Sequence, residues 1–121
     1  MNAIANRQFH LAARPIGLPK ASDWQHTSEP VAEPAEGGVL VKTLMISLDP
    51  AMRGWMNEGK SYIPPVGLGE VMRAGGIGVV VASKNAAFKA GDFVSAGTGV
   101  QEYALFAADQ VKRSGMFRID T

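Results

Sequence analysis

Apolar and polar residues alternate between Arg7 and Ala13. Arg7, Phe9, Leu11 and Ala13 lie on one side and Gln8, His10 and Ala12 on the other, the period-two pattern of a half-buried strand. RPIGLPKASD (14–23) carries two prolines and a glycine and reads as a loop. Residues 24–33 predict a second strand, which Pro30 confines to an edge or an irregular course. After the turn at 34–38 comes VLVKTLMISL (39–48), apolar on both faces apart from Lys42, Thr43 and Ser47, and so a central strand. It ends at Asp49-Pro50. Asp is a good helix cap and Pro suits a first helical turn, so a short helix is expected from there to about Met56.

Residues 57–69 form a long loop that includes Pro64-Pro65. Residues 70–83 resume as a strand, with Ala74-Gly75-Gly76 marking a bulge or bend. KNAAFKAGD (84–92) is a surface loop ending in a Gly-Asp turn, followed by a short strand at 93–96 and a tight turn at Gly97-Thr98-Gly99. Residues 100–107 alternate, with Tyr103, Leu105 and Ala107 on one side. Residues 108–121 are weakly patterned, and Phe117-Arg118-Ile119 reads as a last short strand. Six or seven short strands and one brief helix predict a mostly β domain, an antiparallel sheet curled into a partly open barrel, because curling removes exposed edges.

Composition narrows the function classes. A length of 121 residues is one domain's worth, with enough chain for a real core. The net charge of +1 gives no reason to expect nucleic acid or an anionic membrane as partner. The absence of cysteine excludes disulfides, thiolate zinc sites and cysteine nucleophiles within these residues. No apolar run approaches the roughly 18 residues of a membrane span. The start of the chain has too short an apolar stretch for a signal peptide, so a cytoplasmic location is expected.

Candidate chemistry is sparse. Gly76-Ile77-Gly78 and Gly97-Thr98-Gly99 neither extend to a full dinucleotide motif nor open a helix after a strand, and read as bulge and turn glycines. His10 and His26 lack metal-ligand spacing. Asp49 is accounted for as a cap. Arg53 suits either a phosphate or carboxylate, or an ion pair with Glu58 or Glu70. Tyr62 either lines a pocket or packs on the neighbouring prolines. Met45, Met52, Met56 and Met72 read as core and pocket filler.

SLDPAMRGWM (47–56) resembles a segment of the zinc-independent medium-chain dehydrogenase/reductases, in the branch of the NADPH-dependent curcumin, alkenal and prostaglandin/leukotriene reductases. NRQFHLAARPIGLP (6–19), SYIPPVGLGEVM (61–72), FKAGDFV (88–94) and VQEYAL (100–105) are similar to further segments of that branch, in the same order. The resemblance implies a GroES-like fold, a partly open β-barrel. It also implies that residues 1–121 are the amino-terminal, substrate-side domain, truncated before an NADP-binding Rossmann domain that is absent from this chain. The implied activity is reduction of the C=C bond of α,β-unsaturated aldehydes or ketones by hydride transfer from NADPH. The cofactor would be bound mainly by the other domain, leaving this chain inactive alone. A homodimer is implied for the full-length form.

The implied substrate-binding residues are Ala51, Met52, Arg53 and Tyr62; no catalytic residue is assigned. Zinc-dependent relatives place a cysteine near Ala51 and a histidine near Glu70, so no catalytic metal is implied here. Ala51 and Val100 stand where this branch often has a tyrosine and a tryptophan, which implies a roomier, more aliphatic pocket. The alternative function is a non-enzymatic GroES-like or β-barrel binding module, a co-chaperonin-like subunit among them. An uncovered cleft-side apolar surface would also favour self-association.

Overall fold

The computed structural model describes residues 5–57 and 64–119. Among them the chain forms seven strands: β1 (Ala5–Leu11), β2 (Trp24–Pro30), β3 (Val39–Ile46), β4 (Gly76–Ser83), β5 (Phe93–Ala96), β6 (Tyr103–Phe106) and β7 (Phe117–Arg118). Two short helices accompany them, α1 (Ala51–Trp55) and α2 (Ala108–Arg113), with a single 3-10 turn at Ala21–Asp23.

All strand pairs are antiparallel. β1 and β2 form a two-stranded sheet in register from Ala5↔Pro30 to Leu11↔Trp24. The other five are ordered β6-β3-β4-β5-β7. β3 is central, as its two-sided apolar pattern requires: Val39, Leu40 and Val41 are all buried between β4 and β6. Pro30, which lacks an N–H, ends the edge strand β2.

The curl has two sources. Register slips leave Leu44 on β3 and Val81 on β4 without a partner, and each such bulge bends its strand and increases the twist. The sequence pattern put the irregularity at 74–76 and began the strand at residue 70. Instead β4 begins at Gly76, and residues 69–72 leave the five-stranded sheet to bond with β1. Gly69 N–H donates to Leu11 O, Leu11 N–H to Glu70 O and Met72 N–H to Phe9 O, at 2.7–2.9 Å. On the same side of β1, Phe9 N–H donates to Val100 O at 3.0 Å and Glu102 N–H to Arg7 O at 3.1 Å. The two sheets are thereby joined through main chain.

Two apolar clusters fill the interior. One lies under the five-stranded sheet and includes Val39, Val41, Val80, Val94 and Phe106, closed by Val111 of α2 and Met116. The other joins Leu11, Met52, Met56, Val66, Met72 and Ala74, with Trp24, Ile46, Trp55 and Val100 packed against it. Met52, Met56 and Met72 are core, as expected, but Met45 is 61% exposed because it follows the Leu44 bulge and lies outside both clusters.

α2 was not expected. Only Val111 of its six residues is buried, so no helical period is visible. Local bonds hold it instead: Gln110 Oε1 accepts from Ala107 N–H at 2.8 Å, and Arg113 pairs with Asp109 one turn earlier at 2.8 Å. On β6 the core takes Ala104 and Phe106, while Leu105 and Ala107 are exposed.

Leu11 is fully buried where β1 meets the second cluster. Leu11→Ala should destabilise the fold by about 3 kcal/mol in denaturant titration, the usual cost of a buried leucine truncation; a change under about 1 kcal/mol would show that this cluster collapses freely. At Gly78 an added Cβ would meet Val41 Cγ1 and, at 2.5 Å, the Lys42 carbonyl oxygen. Gly78→Ala should therefore lower the melting temperature, whereas Gly54→Ala, which meets nothing within 4 Å, should not.

Candidate functional site

A cavity of about 370 Å³ opens at the corner between β3 and α1. β1 supplies Phe9, β2 Trp24 and β3 Ile46. Leu48 and Asp49 line it from the corner, and α1 contributes Met52 and Arg53, with Met56 just beyond. Met72, Val100 and Pro19 complete the wall. An apolar concavity with a few polar groups at its mouth is the usual form of a small-molecule site. Three methionines give it an adaptable lining.

The corner is built differently from the expected cap. Pro50, in helical conformation (φ −55°, ψ −32°), occupies the N-cap position, and no side chain caps α1. The Asp49 carbonyl accepts from Met52 N–H at 3.0 Å, while its carboxylate accepts from Ser47 Oγ at 3.0 Å. The Asp49 side chain therefore stays at the cavity edge instead of turning back over the helix.

Of the residues expected to bind substrate, Met52 and Arg53 line the cavity. Ala51 opens α1 on its exposed side and is not part of the wall. Tyr62 lies outside the described residues. Among the described residues Arg53 pairs with no carboxylate, Glu70 included; Glu58, the other expected partner, lies outside them. Arg53 Nε donates to Gly17 O at 3.0 Å, one terminal nitrogen to Pro15 O at 2.9 Å and the other to Asn57 Oδ1 at 2.7 Å. The Glu70 carboxylate instead accepts from the Gly67 N–H. The wall residues Phe9, Trp24 and Pro19 were not singled out from sequence. They come together only because β1 pairs with β2 and the intervening loop folds back.

A second, more polar concavity of about 590 Å³ adjoins the first and shares Phe9, Ile46 and Val100 with it. Its polar side chains are largely bonded to one another. Gln8 Nε2 donates to Gln101 Oε1 at 2.6 Å, and Thr27 Oγ1 donates to Gln8 Oε1 at 3.2 Å. Glu102 accepts from Arg7 Nε and Nη2 at 2.8 and 2.9 Å and from the Arg7 N–H at 3.1 Å. Thr43, in the same wall, is the exception: its buried hydroxyl has no hydrogen-bond partner among the described residues.

Neither glycine pair fits the phosphates of a dinucleotide. Gly76-Ile77-Gly78 lies within the β4 ladder, and Thr98 of the other pair is buried, its hydroxyl donating to Gly99 O at 3.1 Å. Among the described residues no group of three His, Cys, Asp or Glu could hold a metal ion. His10 is bonded on both ring nitrogens, to Gly69 O at 2.7 Å and to Gln8 Oε1 at 2.9 Å, and the His26 ring lies 4.2 Å from that of Phe9. Among the described residues no helix is long and apolar enough to cross a membrane.

This curled antiparallel sheet, with an apolar cleft at a strand–helix corner, is a GroES-like domain of the medium-chain dehydrogenase/reductase type. The family model for the N-terminal domain of oxidoreductase matches residues 7–114, and the chain belongs to that family. It is 40% identical over 110 residues to the NADPH-dependent curcumin reductase of Escherichia coli, covering 91% of this chain and 32% of that protein. It is 40% identical over 117 residues to the putative NADP-dependent oxidoreductase YfmJ of Bacillus subtilis, covering 97% and 33%. The crystal structure of CurA from Vibrio vulnificus superposes with a TM-score of 0.80 at 47% identity, covering 83% of this chain and 30% of that one. The structure of the same protein with NADPH gives 0.78 at 45%, covering 82% and 29%. The chain thus spans about a third of the length of the curated relatives it matches (32% and 33%).

The Arg7–Glu102 pair beside the cleft has a pH signature. Hydrogen bonds from the Arg7 side chain, then from its backbone N–H, hold the Glu102 carboxyl at about 2, against an ordinary value of 4.5. A carboxyl lowered by folding stabilises the fold above its unfolded value, and that contribution fades as pH falls toward the folded one. Thermal stability should therefore drop between pH 4.5 and about 2, and Glu102→Gln should flatten part of the drop. Parallel profiles for the two proteins would show that the pair contributes nothing.

Proposed function

We propose that the chain is the substrate-side domain of an NADP-dependent oxidoreductase that reduces the C=C bond of α,β-unsaturated aldehydes or ketones. The apolar cavity at the β3–α1 corner carries this reading, in a chain of the N-terminal oxidoreductase family with NADP-dependent relatives at 40% identity. The reading has NADPH held by a separate nucleotide-binding domain, since the described residues provide no phosphate cradle. This chain's own part is to bind and to exclude water. Phe9, Trp24, Ile46 and the methionines would take the hydrocarbon portion of an enone. Burying each CH₂ there is worth about 0.8 kcal/mol. Full-length dimerisation and self-association of this chain belong to the same proposal.

The test is NADPH oxidation by the complete gene product, supplied with enones and with the corresponding saturated ketones. Enone-dependent oxidation with no turnover of the saturated ketone supports the assignment; no enone dependence would overturn it. Val100 lines the cavity where the family often carries tryptophan, so bulky enones should be accepted alongside small ones. Val100→Trp should cut kcat/KM for a bulky enone about tenfold or more while sparing a small one, since overpacking typically costs about 1–3 kcal/mol. A strict preference for the smallest enone in the unmodified enzyme would rule out the roomy pocket.

A further inference from the structure

We propose that Arg53 is a positioning residue: it pins a loop across the mouth of the apolar cavity, and that loop limits how long a ligand the cavity accepts. The proposal rests on reading this cavity as the substrate site.

The loop is a closed unit. At its base, Ala12 and Ala13 N–H both donate to Asp23 O, at 2.8 and 3.2 Å. The buried Asp23 carboxylate accepts from Lys20 N–H at 2.9 Å and from Lys20 Nζ at 3.2 Å. The Lys20 N–H, above all, holds that carboxyl below its ordinary range, so it stays charged. Between these ends Pro15 is buried and Pro19 is part of the cavity wall.

The tip is held differently. Among the described residues, the hydrogen bonds to the stretch from Pro15 to Leu18 come from Arg53 alone, to Pro15 O and Gly17 O. These are two adjacent prongs of one planar guanidinium, a geometry that lysine cannot reproduce. The third contact, to Asn57 just past the end of α1, fixes the guanidinium beside its own helix. The helix end is in turn tied down by Arg14, which donates to Met56 O at 2.9 Å and to Val66 O at 2.6 Å. Pro15 is buried, but Ile16 and Leu18 are 91% and 88% exposed, so beyond Pro15 apolar packing does not anchor the tip. Gly17 sits there at φ +75°, a left-handed conformation that strains any residue bearing a side chain.

Arg53 is thus committed to main-chain carbonyls and does not reach for the ligand's polar group. Because Pro19 is both loop and wall, releasing the tip moves one side of the mouth. In the intact chain, affinity for linear ketones should rise with each added CH₂ and then level off at the wall. With the tip released it should continue to rise.

The experiment uses this chain and two saturated probes, 2-hexanone and 2-undecanone, with binding read from the fluorescence of Trp24 in the wall and Trp55 packed behind it. Arg53→Lys should raise the preference for the longer ketone about fivefold, the equivalent of one carbonyl hydrogen bond. Gly17→Ala, whose added Cβ meets nothing within 4 Å, displaces the tip without touching Arg53 and should shift the preference in the same direction. The double variant should shift no further than either single one. Should Arg53→Lys fail to fold, Gly17→Ala carries the test. Wild-type binding of both ketones with an unchanged ratio in the variants overturns the positioning role alone. Fully additive shifts overturn it too. If the wild type binds neither ketone, the cavity reading falls and the proposal falls with it.

Discussion

Strand β1 has hydrogen-bonding partners on both edges, and the architecture depends on it. β2 pairs with one edge, while residues 69–72 and 100–102 bond the other. Without those main-chain bonds, β1 and β2 would be an isolated hairpin, a unit that is marginal in water. With them, the hairpin closes over the second apolar cluster, and Phe9, Met72 and Val100 are brought to one cavity from three distant parts of the chain. The cleft is therefore a product of sheet closure, not of any single motif.

Its chemistry follows from that origin. Among the described residues the lining is mostly apolar, and several polar groups near it are already committed: Arg53 to carbonyls, Glu102 to Arg7, His10 to Gly69 and Gln8. Such a surface can hold a hydrocarbon skeleton and keep water from it. A coenzyme that carries the reactive electrons suits a wall of this kind, because the protein then needs only to orient and desolvate.

Much of this was legible from pattern. The alternation at Arg7–Ala13, the two-sided apolar run at 39–46 and the Gly/Pro punctuation place the strands. What escaped were features decided by partners far away in sequence. Residues 70–75 have strand-like composition, yet Glu70 and Met72 bond to β1, Ala74 to Gly99 and Gly75 to Ser47, so the ladder of β4 starts later. Met45 has a core residue's chemistry, but the bulge at Leu44 places it on an exposed surface. Asp49 has a cap's identity, but Ser47 engages its carboxylate and Pro50 takes the cap position. α2 buries a single side chain, too few to leave a period. At the site, the motif at 47–56 pointed to the right corner, whereas the contributions of Phe9, Trp24 and Pro19 required knowing which strands pair.

The closed base of the 12–23 loop has an evolutionary consequence. Its two ends meet at the Asp23 carbonyl, so residues can be added or removed between them while the strands on either side keep their register. Doubling the length of a flexible loop costs only about 0.6 kcal/mol in closure entropy. A lineage could thus retune the entrance of this cleft by small insertions and deletions, leaving the folding core untouched. Length polymorphism at this one point, rather than substitution in the core, is the cheapest route by which the domain could diverge in what it admits.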